Sequence, residues 1–360
     1  MTHDRPPSLD GTPSEVYRPA GPDLPPMPPP RRRRAGLVFL ILLLAGSVVV
    51  NVVLVGVVSS RLEDLGGGGR QALQETVLQK ADTKDTIAVI HVKGMITEEP
   101  MGGYWGPGGT TYDFLKQQVE RALGDRHVRA VVLRVNSPGG GAAASDMMLH
   151  ELKRLPQADK PIVVHMGSVA ASGGYYVSMA ADHIVAQPTC ITGSIGVIGQ
   201  IMTFQEMMES KLGIKVYTFT SGDYKDVGNP FREMTVDEQI YLEDTLIAPI
   251  FNRFVGVVDE GRKNLTERNV RDLANGKVYT AQQALDNGLV DQIGFFEDAV
   301  DEAMAIAGLT QARLVEYRKQ VGLFDFLAMS SEPAGPGLLR ITPDVVNAWS
   351  TPRVLMLWRP

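Results

Sequence analysis

The 360-residue chain predicts an α/β fold preceded by one membrane-spanning helix. Three observations carry that expectation. From about residue 85, strand-like apolar runs alternate with segments of helical spacing, the pattern of crossover units. The turns between them are rich in glycine and serine, above all Ser137-Pro138-Gly139-Gly140-Gly141 and Ser172-Gly173-Gly174. Upstream, residues 36–58 are almost wholly apolar and carry no charge.

Composition agrees with a globular domain: 44% of residues are apolar and 21% charged, ample material for a core. A net charge of -6 gives no general affinity for nucleic acid. Cys190 is the single cysteine, so neither an intrachain disulfide nor a cysteine-based metal site can form within one chain. That leaves the redox compartment open.

Residues 1–35 are crowded with proline, as in Pro25-Pro26-Met27-Pro28-Pro29-Pro30, and are read as a disordered cytoplasmic tail. Residues 36–58 follow as a transmembrane signal anchor. A helix needs about 20 apolar residues to cross a bilayer. The apolar part of a cleavable signal is shorter, about 7–15 residues. Arg31, Arg32, Arg33 and Arg34 precede the run, so the positive-inside rule puts the N-terminus in the cytoplasm and the rest of the chain outside it. Asn51, inside the run, offers a hydrogen bond to a neighbouring helix. Residues 59–84, with Gly66-Gly67-Gly68-Gly69, read as a tether.

The folded domain is expected over 85–320. Strands are predicted at Ile87 to Val92, Val128 to Val135, Pro161 to Met166, His183 to Ala186 and Lys215 to Thr220. Helices are predicted at Tyr112 to Leu123, Ala142 to Leu155, from the serine turn through Ala181, and at Phe204 to Leu212. Met234 to Arg262 reads as a long helical stretch broken near Pro249, and Leu289 to Gly294 as a short extended piece. In 321–360 the pattern weakens, as in a tail that is partly disordered or docks. The serine segment has no second copy, so one site per chain is expected.

Ser172 stands where a strand hands over to a helix, and Gly173 and Gly174 leave room for a carbonyl to reach the backbone. A G-x-S-x-G elbow is absent, because Ala170 replaces its first glycine. Taken singly, such a serine is usually helix-start packing. The loop at Gly139-Gly140-Gly141 lacks the ending of a phosphate loop, but it can present an N–H to an oxyanion. For a base, His91, His127, His150, His165 and His183 form no unit with an aspartate. His165, on a strand near the serine, is the best of them, although a histidine on an apolar strand is more often core. Lys225 follows a strand end among Gly222, Asp223 and Tyr224. A serine hydroxyl needs a base, and a lysine serves if its amine is held neutral. An ordinary solvated lysine, or one held charged by Asp226, is the competing reading.

Four segments in order resemble the signal peptide peptidase A (protease IV) family over about Thr86 to Gly308. They are Asn136-Ser137-Pro138-Gly139-Gly140, Ala171-Ser172-Gly173-Gly174-Tyr175-Tyr176, Thr192-Gly193-Ser194-Ile195-Gly196-Val197, and Lys225-Asp226 with Arg232-Glu233-Met234-Thr235. The resemblance is to the short, single-unit form. It implies a Clp-protease/crotonase-like fold and a serine–lysine dyad. Ser172 would be the nucleophile and Lys225 the general base. Ser194 would lie near the lysine and orient it. The N–H groups of Gly139 or Gly140 and of Gly173 would form the oxyanion hole. Family members of this form assemble into membrane-attached homo-oligomeric bowls, which can complete the dyad between neighbouring protomers. Residual signal peptides or other apolar peptides are the implied substrates, with no metal or organic cofactor. Two alternatives stand beside this: a crotonase-like acyl-CoA enzyme, which needs no serine nucleophile, and a non-catalytic membrane scaffold.

Overall fold

The computed structural model describes residues 42–51, 73–99, 109–319 and 353–358. The chain divides into two units, residues 1–70 and 71–360. In the first, residues 42–51 form helix α1. Among the described residues no helix is long and apolar enough to cross a membrane. The proline-rich tail and the rest of the run 36–58 lie outside the described residues.

The second unit is a mixed α/β domain. Its strands are β1 (Leu73–Gln79), β2 (Thr86–Lys93), β3 (Ile96–Thr97), β4 (Thr110–Thr111), β5 (Val128–Ser137), β6 (Gly139–Gly141) and β7 (Ile162–Ala171). There follow β8 (His183–Ala186), β9 (Ile191–Gly193), β10 (Ile198–Gln200), β11 (Val278–Thr280), β12 (Gln292–Ile293), β13 (Arg313–Lys319) and β14 (Arg353–Leu357). The helices are α2 (Tyr112–Gly124), α3 (Ala142–Leu152), α4 (Arg154–Gln157), α5 (Gly173–Ser178), α6 (Val236–Leu242), α7 (Ala248–Gly261), α8 (Glu267–Leu273), α9 (Ala281–Asp286) and α10 (Phe296–Ile306).

The main sheet runs β1-β13-β2-β5-β7-β8-β12, with β9 joined to the end of β7 and β11 to β9. Its central strands are parallel. Parallel strands covered on both faces read as continuous apolar runs, and β2, β5 and β7 do. Their side chains alternate between two layers. Ile90, Leu133 and Val164 meet α2, α3, α5 and α7, while Val89, Val132 and Val163 meet α10. A smaller sheet, β10-β14-β6-β3-β4, is built around the glycine loop.

Several expectations change. The helix predicted to Leu155 ends at Leu152, and the turn α4 containing Pro156 follows. Residues 213–220, predicted in part as a strand, are exposed and belong to no ladder. Val216 and Phe219 gave that stretch its strand-like look, but a strand needs a partner for its N–H and C=O groups. The helix over Met234 to Arg262 is not broken at Pro249. It widens into a π turn over Glu243–Ile247 just before that proline, which has no N–H for the helical ladder and crowds the preceding turn. β1 forms within the stretch read as a tether, and β14 within the C-terminal tail.

Candidate active site

The parallel register of β5 on β7 sets Ser137 opposite Ala170. Both strands end there, so the glycine loop and the serine turn leave the sheet side by side. Ser172 is 1% exposed and has φ 53° and ψ −116°. A residue other than glycine held in so sparsely populated a conformation carries about 1–3 kcal/mol of strain, which surrounding structure must hold. Here its N–H donates to the Gly193 carbonyl at 2.8 Å, and its own carbonyl accepts the Tyr176 N–H at 2.8 Å. Its side chain does not cap α5, so the helix start leaves the hydroxyl uncommitted.

Close approach explains the glycines. A Cβ on Gly174 would lie 2.6 Å from the Ser137 carbonyl oxygen, and one on Gly173 2.6 Å from Ser145 Oγ. A Cβ on Gly139 would lie 2.7 Å from the Gly173 nitrogen. The two backbones therefore meet in one corner next to Ser172. Ser137 locks the loop: its Oγ donates to the Gly94 carbonyl at 2.6 Å and accepts the Gly139 N–H at 3.1 Å. The Gly173 N–H, at the first position of α5, has no acceptor within the helix. Ser145 Oγ, one turn into α3, donates to the Gly141 carbonyl at 2.9 Å and buttresses the loop from behind. Neither serine's locking role was read from the sequence, although each stands within four residues of the glycines.

Ser172, Gly139, Gly140 and Gly173 are thus brought together. Ser194 is adjacent through the chain: Gly193 accepts the Ser172 N–H, and Ser194, with φ 48°, donates its own N–H to the Lys277 carbonyl at 2.8 Å. Lys225 is not brought in. It is exposed, in a turn where its N–H donates to the Gly222 carbonyl, and no hydrogen bond among the described residues joins it to Ser172 or Ser194. Asp226 does not hold it either. Arg232 takes the Asp226 carboxylate at 2.8 and 2.9 Å and bonds Glu238 as well. These bonds hold both carboxyls well below the ordinary range, to about 2. Glu238 also closes a capping box with Thr235 at the start of α6. The Arg232-to-Thr235 motif is thus the frame of the lysine loop.

His165 is a core residue. It is 2% exposed, its ring stands edge-on to Phe296 of α10, and both ring nitrogens lack a partner. Burial, then Arg134, lowers its pKa to about 4. His91 pairs with Glu316 at 3.0 Å. The Cys190 thiol is buried and pushed up to about 12 by desolvation, which leaves it an inert packing group.

A strained, buried serine beside two glycine backbones is the constellation of an acyl-transfer site, and sequence relatives agree. Residues 154–310 match the profile of Peptidase family S49. "Putative signal peptide peptidase SppA" of Enterococcus faecium is 34% identical over 250 residues, 69% of this chain and 72% of that protein. "Putative protease slr0021" of Synechocystis is 36% identical over 64% of this chain and 77% of its own length. "Protease 4" of Salmonella typhi is 38% identical over 74% of this chain, which spans only 42% of that longer protein. The chain belongs to peptidase family S49 and is a serine-type peptidase.

Proposed function

We propose that the chain is a membrane-anchored serine endopeptidase whose dyad, Ser172 and Lys225, is completed between neighbouring copies. The observation that carries this reading is the state of the two residues. Ser172 is buried and strained beside glycine N–H groups, while Lys225 is exposed on a loop whose carboxylate is already taken by Arg232. The stretch leading into that loop exposes Ile214, Val216, Tyr217, Phe219 and Tyr224, large apolar side chains left in water on one segment. A second copy of the chain is the occupant that would cover it and deliver the amine to a neighbour's serine.

In the reaction, the neutral amine of Lys225 takes the Ser172 proton as Oγ attacks the peptide carbonyl. The Gly173 N–H and a loop glycine N–H carry the charge that develops on the carbonyl oxygen. The same amine, now protonated, gives its proton to the leaving nitrogen, and then activates the water that releases the acyl group. Lysine ordinarily titrates near about 10.4, so activity rises toward alkaline pH. The apolar run at 36–58, in the signal-anchor reading, would hold the enzyme where residual signal peptides and other apolar peptides lie.

The test is complementation. Ser172→Ala and Lys225→Ala each lower cleavage of an apolar peptide by about a thousandfold or more. Co-assembled, the two inactive chains regain activity, because about a quarter of the neighbouring pairs in a random mixture hold both groups. No recovery on co-assembly would place the dyad within one chain or remove Lys225 from it.

A further inference from the structure

The groups proposed to carry the oxyanion charge are backbone N–H groups of glycines, which have no side chains to fix their own spacing. That spacing is set from behind, by the helices that begin beside each glycine. α3 starts directly after Gly141, and α5 starts at Gly173. The loop donors and the Gly173 donor therefore move with these two helices. Whatever fixes α3 against α5 fixes the width of the proposed oxyanion hole.

Two consecutive residues of α3 do so. Ser145 limits how near α5 can come, because a Cβ on Gly173 would lie 2.6 Å from its Oγ. Asp146 holds α5 about one turn beyond Gly173: its Oδ1 accepts the Tyr176 hydroxyl. The same oxygen accepts Nε and Nη2 of Arg253, on α7, at 3.2 and 3.0 Å. Tyr176 is fully buried, and its ring stands edge-on to Phe254 of α7 with the centroids 5.0 Å apart. Its N–H donates to the Ser172 carbonyl at 2.8 Å. One residue thus ties the peptide of the proposed nucleophile to α3 and α7. Burial, then the Asp146 carboxylate, pushes the phenol's pKa up, so it remains a donor throughout the working pH range.

Apolar packing would keep the helices together but let them slide, since it has no direction. A hydrogen bond to a carboxylate fixes both distance and angle. The segment Ala171-Ser172-Gly173-Gly174-Tyr175-Tyr176 carries this tyrosine, which neither role assigned to that segment uses.

We propose that Asp146 and Tyr176 are positioning residues of the reaction: their bond, anchored by Arg253, sets the separation of the Gly173 N–H from the glycine-loop N–H and so the fit of the hole to the tetrahedral transition state. This rests on the peptidase reading of the site. A misplacement of about 1 Å costs up to about a hundredfold in rate. Interactions made only in the transition state change kcat and leave ground-state binding alone.

The test uses the detergent-solubilised full chain, an apolar reporter peptide, and two peptide inhibitors of one sequence. One inhibitor ends in an aldehyde, which a serine captures as a tetrahedral adduct; the other ends in the matching alcohol, which it cannot. In Tyr176→Phe, kcat should fall about tenfold or more with KM within about twofold. Aldehyde binding should weaken about tenfold while alcohol binding holds. Asp146→Ala should match it, the double variant should be no worse than either single one, and Asp146→Asn, which keeps an acceptor, should restore most of the loss. Tyr176→Phe removes one oxygen and leaves Asp146, which is half-exposed, to water, so it decides the matter if Asp146→Ala does not fold. A lowered unfolding midpoint with kcat and the aldehyde-to-alcohol ratio unmoved makes the bond structural only and overturns the proposal, while hydrolysis by the native chain keeps the peptidase reading. No hydrolysis by the native chain retires that reading, and the positioning role with it.

Discussion

A single carboxylate bears on how Lys225 could act in the proposed dyad. Asp226 is its immediate neighbour, yet the geometry gives that carboxylate to Arg232. Glu238 is held by the same guanidinium. Both acids have pKa values depressed to about 2, so their contribution is present above the ordinary carboxylate range and lost only as pH falls through about 2. The frame of the lysine loop therefore does not titrate between pH 5 and 9, so under the proposed dyad it contributes nothing to an alkaline rise in activity. Arg232→Ala should release Asp226 toward Lys225. Its kcat should fall about tenfold or more with KM little changed, and the alkaline limb of the pH–rate profile should move upward. An unmoved profile would make Arg232 a structural residue only. His165 gives a second reading at this scale. Its folded pKa of about 4 lies below the ordinary 6.5, so the unfolded chain binds more protons between those values. Stability should fall as pH drops from 6.5 toward 4, by up to about 3 kcal/mol. The groups facing its ring, Arg134, Glu297 and Asp298, modulate that fall. His165→Leu should flatten it, as urea unfolding at several pH values would reveal.

Among the elements, legibility followed the source of order. β2, β5 and β7 were readable because their apolar runs are dictated by burial on both faces, which is local information in the sequence. α2 was readable from Leu115, Val119 and Ala122 on one stripe. The serine turn and glycine loop were readable as a pair, since Gly173, Gly174 and Gly139 are demanded by backbones that nearly touch. β6 and β14 were not readable. β6 is three glycines, with no side chains to signal a strand, and β14 is a short apolar run far along the chain; both are fixed by the ladders their neighbours offer, β6 by β3 and β14, and β14 by β6 and β10. The stretch 213–220 misled for the opposite reason: its apolar residues looked like a buried face but are exposed in the single chain. The framing role of Arg232 was visible only as letters in a motif, because its partners are set by how the loop folds back on α6.

For the whole molecule, that exposed stretch makes assembly the next question. Phe219 is 94% exposed, an exceptional position for a phenylalanine. If copies of the chain meet through this surface, Phe219→Asp should shift the detergent-solubilised particle to smaller species in analytical ultracentrifugation. Peptide cleavage should fall in parallel, while the circular dichroism of each chain stays native. Retained particle size in that variant would direct the search for the contact elsewhere. The proposed nucleophile is itself held by a marginal element. Ser172 is held in its unusual conformation partly by Gly193, at the end of the short β9, whose other ladder is with β11 at the margin of the sheet. Marginal segments open at lower free energy than a core does. Warming should therefore silence the enzyme several degrees before the bulk of the domain melts, and reversibly so, with turnover declining while the calorimetric baseline is still flat.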